Sequence, residues 1–341
     1  MTSALPVLWL YGPSGVGKST VAWELFTRLT GGGLRLAHLD IDQVGMCYGP
    51  PTPENWAPEP ASDPVRHRQK TLNLDAVAAN AQDAGAAGLI VSGIVDPEHG
   101  IDTDLLPNVA LTAIRLRADV DEIRRRLGVR ARPDEATDEI LRDAKALDRD
   151  GFPRAGDACI DTTELSVDEV LERVSKQAEG WLTVRAAAPA RAEAVTSAES
   201  DASIESDADA TLNPPTPASI LLLSGPRPAG LSSVGYQVYR QLRAAGSCAA
   251  YLDLEQVGFL RPTSAADPGN HRFKAANLAS VWRTYQASGA DCLVAVGTVE
   301  DPENEAVYAA ALPRVALEIN RADLDPKGRP ADAAAREILA G

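Results

Sequence analysis

Nine consecutive residues carry the densest chemistry in this chain: Gly12, Pro13, Ser14, Gly15, Val16, Gly17, Lys18, Ser19 and Thr20. Their spacing is G-x-x-x-x-G-K-[ST]. They stand between an apolar run, Val7-Leu8-Trp9-Leu10, and the helical spacing of Val21, Ala22, Leu25 and Phe26. Glycines let successive backbone N–H groups turn inward onto phosphate oxygens. The start of the following helix adds the positive end of its dipole. In such a loop Lys18 reaches the outer phosphates of a nucleotide, and the Ser19 hydroxyl is a ligand for Mg2+.

A second group of residues could complete a phosphoryl-transfer site. Asp40 and Asp42 close the apolar run Leu34–Leu39. At i, i+2 on an extended segment they are expected on one side, one supporting a metal and the other meeting an acceptor hydroxyl. Arg68, in His67-Arg68-Gln69-Lys70, suits a clamp on an anionic acceptor, because a guanidinium binds carboxylate or phosphate through two donors. Gly93 ends the apolar run Leu89–Ser92 and permits close approach of a ligand, with Ser92 and Asp96 beside it. Arg124, Arg126, Arg130 and Arg132 flank Gly128 and Pro133, the composition of a lid that closes over developing negative charge. Arg130 and Arg132 are the expected transition-state contacts. Asp161 and Thr162 follow a short apolar run and are expected to line the nucleotide-base pocket.

The elements that must position these residues alternate. Apolar runs at Leu5–Leu10, Leu34–Leu39, Gly88–Ser92, Val109–Leu116 and Ala158–Asp161 are separated by helical patterns, including one after Asp63-Pro64 and one at Val167–Gln177. That order predicts an α/β fold with a parallel sheet covered by helices on both faces. The Pro-rich stretch from Gly49 to Pro64 reads as a loop. From 187 to 217 Ala, Ser, Asp, Glu, Pro and Thr dominate, and the composition predicts an acidic disordered linker. Beyond it the pattern returns. Gly225–Ser233 lies over Gly12–Thr20, Leu252–Gly258 over Leu39–Gly45, and His271-Arg272, Lys274 and Asn277 over His67-Arg68, Lys70 and Asn73. Ordered matches over about a hundred residues predict a tandem duplication, with domains at 1–186 and 218–341. In the second copy Leu231 replaces Lys18 and Pro228 replaces Gly15, so its loop is expected to be degenerate.

Composition bounds the partners. The chain has 341 residues, enough for about two domains. Its net charge of −15 argues against a general nucleic-acid surface. No apolar run approaches the roughly 20 residues of a membrane span. Four scattered cysteines, Cys47, Cys159, Cys248 and Cys292, read as reduced thiols of a cytoplasmic protein.

On these residues the first half resembles the P-loop kinases of small metabolites and nucleotides, such as the shikimate, gluconate and adenylyl-sulfate kinases. Leu39-Asp40-Ile41-Asp42 is similar to their D-x-D segment, and Arg130-Ala131-Arg132-Pro133 to their arginine-rich lid. The resemblance implies a five-stranded parallel core, ATP and Mg2+ as cofactors, Asp40 near the metal, and Asp42 facing the acceptor. The acceptor would be a hydroxyl or phosphate of a small molecule. The third strand ends Ser-Gly-Ile-Val-Asp rather than in the triple glycine of shikimate kinases, and the acceptor is not specified. A nucleotide-dependent binding module stays open, although the N-K-x-D segment of switch GTPases is absent; so does docking of the second domain on the first, and so does a loop with a structural role alone.

Overall fold

The computed structural model describes residues 4–50, 64–128, 138, 140–142, 144–145, 158–184, 219–225, 230–299, 301–313, 315–321 and 331–340. Arg130, Arg132, Pro228, the 51–63 part of the Pro-rich stretch and the linker lie outside these residues.

The apolar runs form strands and the periodic stretches form helices. In the first half they are β1 (Leu5–Tyr11), α1 (Lys18–Gly31), β2 (Leu36–Asp40), β3 (Cys47–Tyr48), α2 (Pro64–Asp83), β4 (Gly88–Gly93), β5 (Val109–Arg117), α3 (Val120–Gly128), β6 (Ala158–Asp161) and α4 (Val167–Gln177). The second half supplies β7 (Ser219–Ser224), α5 (Leu231–Ala244), β8 (Ala249–Asp253), β9 (Phe259–Arg261), α6 (His271–Ala287), β10 (Cys292–Gly297), α7 (Pro302–Ala311), β11 (Ala316–Arg321) and α8 (Ala331–Ala340). The fold is α/β, with mostly parallel sheets flanked by helices. No helix among the described residues is long and apolar enough to cross a membrane.

The first sheet runs β6-β5-β1-β4-β2-β9 and the second β11-β7-β10-β8-β3. All pairs are parallel except the last of each sheet, β2–β9 and β8–β3. Those two exceptions are reciprocal. The second half lends β9 to the edge of β2, and the first half lends β3 to the edge of β8. Strands of two and three residues carry no readable alternation, so the sequence pattern does not predict this exchange.

The halves share a core as well as strands. One buried apolar cluster joins Trp9, Leu39, Leu74 and Val77 to Leu222, Leu252, Trp282 and Tyr285. Helices α2 and α6 pack together through it, with Asn80 Nδ2 donating to Asn277 Oδ1 at 2.9 Å and Ser280 Oγ at 3.2 Å. A buried amide in such a contact must find a partner, and here it finds one across the two halves.

Candidate functional site

The loop between β1 and α1 sits at the carboxyl end of the central strand, where open α/β sheets bind ligands. Gly12 (φ 143°), Gly15 (96°) and Gly17 (97°) lie at positive φ. A Cβ on Gly12 would collide with the Leu116 carbonyl oxygen, so only glycine fits there. Gly17 is the N-cap of α1 and exposes that helix's first amides. Lys18 is 7% exposed, and its Nζ donates to the Pro13 carbonyl at 2.8 Å.

Ser19 Oγ stands 3.4 Å from Asp40 Oδ2, and the buried Ser92 hydroxyl stands 3.4 Å from Ser19 Oγ. Among the described residues no group of three or more His, Cys, Asp or Glu could hold a metal. Mg2+ at nucleotide sites takes one or two protein oxygens and completes its shell with phosphates and water. The hard oxygens of Ser19 and Asp40 fit that requirement.

Asp42 is not on an extended segment. Asp40 Oδ1 accepts from Asp42 N at 3.1 Å and caps a 3₁₀ turn over Ile41–Val44. The turn separates the two carboxylates: Asp40 faces Ser19, and Asp42 faces α2. There Lys70 Nζ hydrogen-bonds Asp42 Oδ1, and Arg66 Nη2 lies 3.8 Å from the same oxygen. Burial pushes Asp42 up, but the Lys70 ammonium and Arg66 guanidinium outweigh it and hold it below the ordinary carboxylate range. Burial and then the charge of Asp42 push Asp40 above that range. Neighbouring carboxylates driven in opposite directions can take different roles.

Arg68 does not reach this carboxylate. Its side chain is exposed, whereas Arg66 and Lys70 are 2% and 1% exposed. Two residues along a helix is a turn of about 200°, so Arg68 lies away from the face that Arg66 and Lys70 share at i, i+4. That spacing was the available signal for Arg66. Gly93 (φ 142°) does reach the site: a Cβ there would clash with Ile41 and sit 3.5 Å from Asp42 Oδ2.

A cavity of about 770 Å³ opens on the other side of the loop, lined in part by Gly15, Gly17, Thr20, Arg126, Thr162 and Leu165. Thr162 is buried and its Oγ1 donates to the Val16 carbonyl at 3.2 Å. Arg126 Nη2 donates to the Thr162 carbonyl at 2.7 Å and Nη1 to the Gly15 carbonyl at 3.4 Å. Asp161 does not line the cavity. It accepts from Thr163 N at 2.9 Å and lies 3.6 Å from Arg117 Nε. Arg124 pairs with Asp121 at 2.8 Å on the exposed face of α3.

The second half shows a matching set of contacts. Ser232 Oγ donates to Asp253 Oδ2 at 2.7 Å, and Glu255 N donates to Asp253 Oδ1 at 2.9 Å. Lys274 Nζ reaches both Glu255 oxygens at 2.8 Å. Asn277 Nδ2 donates to the Val257 carbonyl at 2.7 Å, as Asn73 Nδ2 donates to the Val44 carbonyl at 2.6 Å. Leu231 opens α5 where Lys18 opens α1.

No family model and no curated protein matches the chain. Among solved structures it is similar to a tunicamycin resistance protein from Deinococcus radiodurans, at 21% identity and a TM-score of 0.36, over 51% of this chain and 96% of that one. It is also similar to a sugar kinase from Janibacter sp. HTCC2649, at 20% identity and a TM-score of 0.34, over 53% and 95%. A gluconokinase from Sinorhizobium meliloti 1021 aligns at 13% identity and a TM-score of 0.35, over 53% and 93%.

Proposed function

We propose that this chain is an ATP-dependent phosphotransferase that moves the γ-phosphoryl group to a hydroxyl or phosphate of a small molecule, acting in the cytoplasm. The observation that carries the reading is the placement of two unlike carboxylates beside one phosphate-binding loop: Asp40 against Ser19, and Asp42 against Lys70 and Arg66. The loop amides of Gly12–Thr20 and the Lys18 ammonium hold the phosphates. Thr162 and Arg126 border the cavity that takes the nucleoside. Ser19 and Asp40 would hold Mg2+, which supplies charge neutralisation on the phosphates. Asp42 orients the acceptor. A carboxylate kept ionised by two cations is a weak base but a steady hydrogen-bond acceptor. Arg66 and Lys70 limit the charge that builds there.

In the same reading the chain is a tandem duplication, with domains at 1–186 and 218–341 and an inactive second site. The repeated Ser–Asp–acid–Lys contacts and the shared strand order support it. Leu231 leaves the second loop without a cation for phosphate.

The test is a screen of hydroxyl compounds and nucleoside monophosphates for ATP consumption by the full chain, with Lys18→Ala as control. Acceptor-dependent consumption lost in that variant is the expected result. Slow hydrolysis with no acceptor phosphorylated would instead favour a nucleotide-dependent binding module.

A further inference from the structure

Three of the four cysteines lie at one end of the second sheet, Cys47 and Cys248 on one face and Cys292 on the other, and they come from both halves of the chain. Cys47 opens β3 opposite Ala250. Cys248 immediately precedes β8, and in that antiparallel register it shares a face with Cys47. Cys292 opens β10 opposite Ala249. Cys248 is held in place by its own amide, which donates to Asp291 Oδ2 at 2.7 Å, and by its carbonyl, which accepts from Asp291 N at 2.8 Å.

The diagonal position across that strand pair sets the Cys47 and Cys248 thiols beside one another. The Cys47 thiol beside it, helped by the Arg243 guanidinium and opposed by burial and Asp291, draws Cys248 down to about 7. Cys47 is pushed up by the neighbouring Cys248 and by burial. Cys292 is pushed up to about 11 by burial and Asp291. Cys47 and Cys248 are half-buried rather than sealed, so a small oxidant can reach them. A thiol of thiolate character beside a cation, with a second thiol in contact, is the arrangement that peroxides oxidise selectively.

We propose that Cys248 and Cys47 are an oxidisable pair that hydroperoxides convert to a disulfide joining the two halves. The Cys248 thiolate attacks a peroxide oxygen and the O–O bond breaks. The departing alkoxide or hydroxide takes up a proton, and Cys248 becomes a sulfenic acid. The Cys47 sulfur then attacks the Cys248 sulfur. Its proton goes to the departing hydroxide, which leaves as water. Two thiols lose two electrons and two protons, and the peroxide becomes an alcohol, or water when it is hydrogen peroxide, beside the water of the second step. The edge strand β3 is two residues long and paired on one side, so it can yield the approach that an S–S bond needs. The bond would fasten to β8 the segment that leaves Asp42 through Gly45 and Met46.

The experiment titrates hydrogen peroxide into the reduced full chain at pH 7 and maps disulfides by mass spectrometry without reductant. A Cys47–Cys248 cross-link is expected as the first product, with two of the four thiols lost and both restored by dithiothreitol. Iodoacetamide is expected to label Cys248 faster than the more exposed Cys159. Cys47→Ser should leave Cys248 as a sulfenic acid that dimedone traps, and Cys248→Ser should leave Cys47 reduced at the same dose. A Cys248–Cys292 bridge as first product, or oxidation of Cys159 ahead of Cys248, overturns the proposal. The mapping on the wild-type chain stands whether or not either variant folds.

Discussion

Lys18 Nζ donates to the carbonyl oxygen of Pro13, five residues back in the same loop, at 2.8 Å. The ammonium is thereby held against the loop's own backbone, already largely removed from water. Binding a phosphate there replaces a neutral carbonyl acceptor with an anionic one, a stronger partner for the ammonium. Lys18→Ala should therefore lower nucleotide affinity and reduce ATP turnover by about 100-fold or more, the scale of losing one charge-stabilising donor. Thermal unfolding with and without MgATP gives a second readout, since a native-state ligand raises the melting temperature by mass action. An unchanged ATP-induced shift in the variant would contradict the role assigned to Lys18.

In the proposed reading, Asp42 serves transfer and not nucleotide binding. It touches Lys70 and Arg66 on α2, while Asp40 stays with Ser19. Asp42→Asn keeps the shape and removes the charge. The expected outcome is a MgATP dissociation constant within about twofold of wild type and phosphoryl transfer lower by about 100-fold, in line with loss of a charged hydrogen-bond acceptor that orients the attacking group. Equal losses in both quantities would place Asp42 in the nucleotide site instead.

Much of this was readable before the fold. The phosphate loop and the strand–helix alternation depend on local spacing, and Gly12, Gly17, Lys18 and Ser19 stand where that spacing puts them. Arg66 was harder to read. Matching the halves draws attention to His67-Arg68 over His271-Arg272, whereas Arg66 has Asn270 in its matching position. Helical phase, not repetition, decides which residue faces Asp42. The turn at Ile41–Val44 depends on an Asp40 side chain capping its own backbone, a contact that an extended reading omits. The β3–β9 exchange depends on long-range pairing alone.

His38 makes stability depend on pH. It is 7% exposed on β2, with ring centroids at 5.4 Å from Trp23, 5.6 Å from Phe26 and 5.8 Å from Phe259. Neither ring nitrogen has a partner among the described residues. The Arg261 guanidinium stacks on Trp23 and Phe26 nearby. Burial lowers the His38 pKa to about 4. Above the unfolded value of about 6.5 the ring is neutral in both states and contributes nothing to the pH dependence. Between about 6.5 and 4 the unfolded chain binds a proton that the folded chain refuses, so stability falls as pH falls, by roughly 2–3 kcal/mol from this residue. Urea unfolding at pH 7 and 4.5 should show a smaller loss in His38→Phe than in wild type. Equal losses would mean that the folded ring is protonated normally.

The reciprocal strands set a condition on taking the chain apart. Removing residues 187–341 strips β9 from the edge of β2 and takes α6 away from α2, two helices that share one buried apolar cluster. The segment Met46–Gly49 loses Tyr285 Oη, which accepts from Met46 N at 3.1 Å, Tyr251 N, which donates to the Met46 carbonyl at 2.9 Å, and Arg243 Nε, which donates to the Gly49 carbonyl at 2.9 Å. An open strand edge beside an uncovered apolar helix face is a template for association. Residues 1–186 expressed alone should therefore self-associate or aggregate, and co-expression with 218–341 should recover a soluble complex. Sedimentation and thermal unfolding check both expectations. A monodisperse 1–186 monomer that melts as high as the full chain would show that the second half is dispensable to the first.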